Sequence, residues 1–203
     1  MNQPRPAAQG DQAARPQRAD ARTNRGRVLQ AAEEVFGAGG ESASTEEVAR
    51  LAGVGIATVF RHFPTKTALL EAVLVRRLER LRDQAQALAE AADPGRALFD
   101  FFAHTVADAA TKLAIADAFA DAGGRVGDST VRAGEGLRRA VGVLLDRAKH
   151  AGAVRDDVEL PELYALLIGA SRAAAYARLD PDVQARALAI VFDGLAPRGE
   201  RPS

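Results

Sequence analysis

No cysteine occurs in the chain, which removes disulfides, thiolate metal sites and cysteine nucleophiles and fits a reducing cytosol. No run of about eighteen apolar residues is present, and the first residues lack the apolar stretch of a signal peptide. The expectation is a soluble cytoplasmic protein that makes no use of a membrane. Net charge is missing as well, with 27 Lys and Arg against 27 Asp and Glu. The total therefore argues neither for nor against a nucleic-acid partner, and only the distribution of charge is informative. Lysine is scarce, confined to Lys66, Lys112 and Lys149. There is also no nucleophile elbow, no phosphate-binding glycine loop and no metal constellation, and none of the three histidines is paired with a serine in a recognisable motif. Enzymatic activity is not expected, and no cofactor or metal is called for.

What is present is helical. The chain has 203 residues, 47% hydrophobic and 27% charged, enough to bury a core as one compact domain or as a small domain joined to a larger one. Residues 1–21 are Pro, Gln, Ala and Arg with almost nothing to bury, which predicts a flexible arm. Up to Arg27, the arginines at 5, 15, 18, 22, 25 and 27 against Asp11 and Asp20 leave a basic excess of four. The neutral total thus conceals a positive N-terminal end, which is either a solvated tail or a contact for something anionic.

Beyond the arm, apolar residues recur at helical spacing and no alternating strand is evident, so the predicted fold is all-α with about nine helices. Val28, Ala32, Val35 and Phe36 share one face of a first helix that ends between Gly37 and Gly40. Ser44 with Glu47 forms a capping box for a second, whose predicted buried stripe is Val48, Leu51 and Ala52. Gly53 stops it, and a short third helix runs from about Ile56 to His62 before Pro64. Thr65 caps a long fourth helix reaching about Ala89, with Leu69, Leu70, Val73, Leu74, Leu78 and Leu81 inward. Further helices are predicted near 94–120, 129–151, 161–178 and 181–195, several opened by an acid before proline or by proline itself.

The spacing of Ala49, Gly53, Val54 and Val59 suits two helices crossing steeply: a small residue where they approach, glycine where the turn needs positive φ, apolar residues in the angle. In such a helix-turn-helix the second helix can enter a major groove. Val59 and Phe63, four apart, would anchor it inward, leaving Ile56, Ala57, Thr58, Phe60 and Arg61 outward. Arginine can donate a fork to guanine, Ile and Ala can meet thymine methyls, and His62 and Lys66 can reach flanking phosphates. Spacing alone leaves a second reading open, a structural corner between two helices.

From about Arg27 to Val73 the chain resembles the N-terminal DNA-binding domain of the TetR family of bacterial transcription regulators, with "RVLQAAEEVF", "STEEVARLAGV" and "TVFRHFPTKTALLEAVL" matching successive blocks of its pattern. The resemblance implies a helix-turn-helix domain over 22–66, a helical ligand-sensing and dimerisation domain over 67–197, and a tail over 198–203. It implies phosphate contacts at Ser44 and Thr45, groove contacts at Ile56, Ala57, Thr58, Phe60 and Arg61, and backbone contacts at His62 and Lys66. The partners so implied are a double-stranded DNA operator, a small-molecule effector and a second copy of the chain, and the expected role is a repressor on a palindrome. Two positions depart from the pattern: Gly55 stands where serine is frequent, and Phe60 replaces the usual tyrosine, removing a hydroxyl. Binding should then lean on Arg61, the basic arm and apolar contacts, and be appreciable only at modest salt.

In the larger part, "LLDRAKHAGAVRDDVELPELYALLIGASRAA" resembles the C-terminal domains of one TetR subgroup. Gly169, Ala170, Ala173 and Ala174 give one late helix a small-residue face, and Leu188, Val191, Phe192 and Leu195 give the last an apolar one. Together they would make either a four-helix interface between two subunits or ordinary intrachain core. For an effector pocket the aromatic-rich "ALFDFFAHTVADAA" is the candidate, with Phe101, Phe102, His104 and Thr105, joined by Phe119 and Tyr164. Such a cluster is also compatible with plain core. His104 and Asp108, one turn apart, are a weak metal signal, and His150 near a helix end is placed to stabilise terminal carbonyls. A scaffold binding protein instead of DNA is the remaining rival.

Overall fold

The structure, a computed structural model, describes residues 14–39, 42–177 and 179–197, with side chains from Asp20 onward. Among the described residues there is no strand, and nine helices follow one another: α1 (Ala14–Gly39), α2 (Thr45–Ala52), α3 (Ile56–His62), α4 (Lys66–Ala89), α5 (Pro94–Ala107), α6 (Ala109–Asp121), α7 (Asp128–His150), α8 (Leu160–Ala177) and α9 (Pro181–Leu195).

Local chemistry accounts for most boundaries. The Ser44 side chain accepts from the Glu47 amide while the Glu47 carboxylate accepts from the Ser44 amide, closing the capping box of α2. Thr65, Asp93 and Asp180 cap α4, α5 and α9 through their side-chain oxygens. Gly127 offers α7 no side-chain cap, and Glu71 of α4 instead ties down its first turn by accepting from the Ser129 and Thr130 hydroxyls, a carboxylate placed favourably at a helix N-terminus.

Three expectations require correction. The predicted arm overlaps α1, which starts at Ala14. Ala, Arg and Gln favour helix, and extending a helix already nucleated by the core needs no second nucleus; residues 1–13 and the tail 198–203 lie outside the described residues. The single helix predicted over 94–120 is two, α5 and α6, parted at Asp108. No glycine or proline marks that corner, which is held instead by Arg77 of α4 on the Asp108 carboxylate. Leu51 is 49% exposed, whereas Thr45, Val48, Ala49 and Ala52 are buried: the inward face follows i, i+3, i+4 and i+7 from Thr45, and Leu51 falls outside it.

Two apolar clusters result. Val28, Phe36, Val48, Val59, Phe63, Leu69, Leu70 and Val73 bury together with Ile115 and Phe119 of α6. The second gathers Leu81 and Ala85 of α4 with Leu98, Phe101 and Phe102 of α5, Val141 and Leu144 of α7, Leu163 of α8, and Leu188 and Leu195 of α9. Helix α4 enters both. At the changeover Arg77, 6% exposed, pairs with Glu33 of α1 and with Asp108, and Glu33 also takes Arg80. Of the two readings left open for the α9 face, intrachain core holds for Leu188 and Leu195, which are buried, and for Phe192, which stacks on Phe99 at 4.5 Å and meets Phe102 edge-on at 5.5 Å; Val191 is only partly buried and also lines a groove between α8 and α9.

Gly53 closes α2 at φ +64°, and a Cβ there would fall 2.7 Å from the Arg27 guanidinium. Gly53→Ala should cost about 1–2 kcal/mol in urea unfolding, the ordinary penalty of the left-handed region, and Gly53→Asn less, since asparagine tolerates that region. Equal losses would assign the cost to the displaced arginine instead of the backbone.

Candidate functional site

Helix α3 is seven residues long and held by its apolar side. Val59 and Phe63 are buried in the N-terminal cluster, while Ile56, Ala57, Phe60 and Arg61 are exposed on the opposite side and Thr58 and His62 are half-buried at its edges. Phe60 keeps 41% of its surface in solvent, an unusual placement for a phenylalanine with a core beside it. The Arg61 guanidinium donates to the Thr58 hydroxyl at 3.1 Å, which aligns it along the exposed face. Gly55 provides no side-chain cap to α3, so the first-turn amides there are without an internal partner of that kind.

Arginines of α1 brace this unit. Arg25 lies over the Phe63 ring at 5.0 Å and Arg27 donates to the Gly53 carbonyl at 3.4 Å. Of the basic N-terminal end foreseen from charge distribution, Arg25 and Arg27 are thereby packed beside α3.

Two predicted phosphate contacts are placed differently. Thr45 is 8% exposed, and its hydroxyl donates to Glu46; as the first residue of α2 it falls on that helix's buried face. Lys66 is half-buried, its ammonium 2.8 Å from the Ala43 carbonyl and over the Phe36 ring at 5.3 Å. It ties the start of α4 to the loop before α2. Ser44 remains at the surface edge, with its hydroxyl committed to the cap.

A cavity of about 390 Å³ lies between α4, α5, α6, α7 and α8. Phe101, Thr105 and Tyr164 line it as expected. The other three candidates do not. Phe102 faces away, against Phe192; Phe119 belongs to the N-terminal cluster, because the corner at Asp108 turns α6 onto α1; His104 is exposed, beside a groove with Glu33, Arg77 and Asp108. Asp108 is engaged by Arg77, and no group of three metal-ligating side chains occurs among the described residues. His150 Nδ1 sits 2.6 Å from the Asp146 carbonyl at the end of α7, the terminal role expected of it.

Sequence reasoning missed the polar wall of the cavity: Lys112 of α6, Arg138 of α7, and Ser171 and Arg172 of α8. Burial, and secondarily the Arg77 charge, push the Lys112 ammonium below its usual range, against a smaller opposing pull from Asp108. The one available signal was a lysine amid the apolar residues of α6, in a chain with only two others.

The fold is that of an all-helical regulator with an N-terminal helix-turn-helix, and the comparisons supply the family. Residues 28–73 match the family model for bacterial regulatory proteins of the tetR family, and residues 93–197 match the C-terminal domain of SbtR-like transcriptional regulators. No curated protein matches the chain. A TetR transcription regulatory protein from Mycobacterium vanbaalenii is 38% identical, with 90% of this chain and 100% of that one covered and a TM-score of 0.75. A TetR transcriptional regulator from Streptomyces coelicolor is 34% identical over 86% and 99% of the two chains, with a TM-score of 0.71. The chain belongs to the TetR family of DNA-binding transcriptional regulators.

The lowered Lys112 value carries a linkage consequence. Below its folded-state pKa the residue is charged in both states and the folded one bears the desolvation penalty; above 10.5, the ordinary value, both are neutral and the penalty is gone. Lys112→Met should therefore raise the melting temperature at pH 7, with the gain shrinking as pH climbs toward 10.5. A variant no more stable than the parent at pH 7 would contradict this.

Proposed function

We propose that the protein is a repressor that binds a palindromic operator as a homodimer, through α3 of each subunit, and is released when a small molecule enters the cavity. The observation that carries the reading is the exposed face of α3, with Phe60 and Arg61 outward while Val59 and Phe63 hold the helix to its own domain. One seven-residue helix covers too few base pairs for a specific site, and a two-fold pair presents two of them about 34 Å apart on a palindrome.

Pairing is supported by α8 and α9. Leu166, Tyr176, Val183 and Ile190 are exposed large apolar or aromatic side chains on these two helices, in company with the small residues Gly169 and Ala173. A groove between the helices is lined almost entirely by apolar residues, including Leu166, Ala173, Ala187 and Val191. Apolar surface gathered on two adjacent helices in this way is what a four-helix interface requires. Release by an effector follows if the effector binds better to the conformation that cannot engage the operator. The coupling is reciprocal, so operator DNA then weakens effector binding by the same factor.

The test is to incubate the protein with random duplexes at low salt and sequence those retained; enrichment of a palindrome supports the reading, and its absence favours a protein-binding scaffold. With the enriched site in hand, Arg61→Ala should cost about 1–3 kcal/mol at one base-pair position and relax preference there, whereas equal losses across all operator variants would remove Arg61 from base reading. Ile190, 73% exposed, provides the test of pairing. Ile190→Arg should convert a sedimenting dimer to monomer and abolish palindrome binding without lowering helix content, and a dimer that survives would move the interface elsewhere.

A further inference from the structure

The cavity has an asymmetric chemistry. Most of its wall is apolar, from Leu78 and Leu81 through Phe101, Leu137 and Val141 to Leu167. Its charged lining consists of Lys112, Arg138 and Arg172, and no Asp or Glu lines it among the described residues. Lys112 is half-buried and takes part in no hydrogen bond or ion pair among the described residues. Tyr164 adds a hydroxyl that is buried with no hydrogen-bond partner, and the Arg138 guanidinium lies over its ring at 5.3 Å. Thr105 needs no ligand, since its hydroxyl donates to the Phe101 carbonyl at 2.8 Å.

A buried donor without an acceptor and a partly buried ammonium without an ion pair are both costly for a fold to maintain. A negatively charged acceptor that reached both would satisfy both, and a charged acceptor makes the stronger bonds. A cationic guest would meet three positive side chains and no carboxylate, and a fully apolar one would leave the Tyr164 hydroxyl and Lys112 unpaired. The volume of about 390 Å³ lies toward the small end of the roughly 300–1,000 Å³ typical of ligand pockets.

Resting on the effector-released reading above, we propose that the cavity selects a compact amphiphile with one carboxylate on an apolar body, its carboxylate held by the Lys112 ammonium and the Tyr164 hydroxyl. The apolar body lies along the α4, α5 and α7 wall. Lys112 is then the residue that discriminates acid from neutral analogue.

The experiment is calorimetric titration of the full chain with decanoate and 4-phenylbutyrate, each beside its primary amide, and with decylamine. The acids should bind at least about tenfold tighter than the amides, and decylamine weakest. Lys112→Met should reduce the acid preference to about threefold or less while leaving amide affinity unchanged, and Tyr164→Phe should lower acid affinity several-fold, in proteins whose cooperative thermal transition shows that they fold. Amides equal to acids, a preference that survives Lys112→Met, or failure of both acids to bind would overturn the assignment. Operator occupancy is followed separately. A neutral compound that fills the cavity and releases the operator sinks the carboxylate assignment and spares the repressor reading, whereas acid binding with no change in operator occupancy does the reverse.

Discussion

The structure depends on one rod passing through two cores with a charge at the joint. Along α4, Leu69, Leu70 and Val73 are buried beneath the helix-turn-helix, and Leu81, Ala85 and Ala89 are buried in the larger cluster. The stripe Val73, Arg77, Leu81 runs at four-residue intervals down a single face, so the apolar seam is interrupted once, by an arginine. A guanidinium at 6% exposure is tolerable only with partners, and it has one in each direction: Glu33 on α1 and Asp108 at the corner of α5 and α6. Without Arg77 the two clusters would share a helix; with it they also share an ion network, whose geometry requires α1, α4 and the corner to be in register at once.

The same helix joins the cavity wall to the helix-turn-helix. Leu78 and Leu81 line the cavity within one turn of Arg77, and the same helix begins at Lys66, with three residues between it and the end of α3. A packed helix of 24 residues, roughly 36 Å long, moves more readily than it bends. Helix α6 provides a second connection. Its Ala109, Lys112 and Leu113 line the cavity, and its Ile115, Ala118 and Phe119 are buried against α1 and α4. Thr111 of α6 approaches Gly37 of α1 so closely that a Cβ at residue 37 would lie 2.5 Å from the threonine methyl.

How much of this was legible in the sequence depends on the range of the forces involved. Ser44 with Glu47, Thr65, Asp93 and Asp180 act within one turn of themselves, and each boundary they imply is where the structure has it. The inward pair Val59 and Phe63, and the glycine at φ +64°, follow from helical period and the steric demand of a tight turn. The corner at Asp108 is of another kind. Nothing in the residues from Val106 to Thr111 breaks a helix, and the tie at that point comes from an arginine 31 positions earlier, which binds the aspartate. For the same reason Phe119 could not be assigned to a core from spacing, nor Lys112 to a cavity wall. The last helix shows the limit most plainly: α9 is apolar on more than one side, and only the stacking of Phe192 on Phe99 decides which side is spent inside the chain.

The two unusual surfaces of the molecule belong to one argument. Exposed Ile56 and Phe60 on α3, and exposed Leu166, Val183 and Ile190 on α8 and α9, each leave apolar area in water. A lone exposed apolar side chain is ordinary, but here they are gathered on the shortest helix of the N-terminal domain and on the two last helices of the chain. In the proposed reading the apolar side chains of α3 would meet thymine methyls, and the small footprint of so short a helix would be doubled by two copies held at fixed separation through α8 and α9. The cavity is lined by α8 on one side and α4 on the other, so a guest there touches at once one of the two helices proposed for pairing and the helix that follows α3.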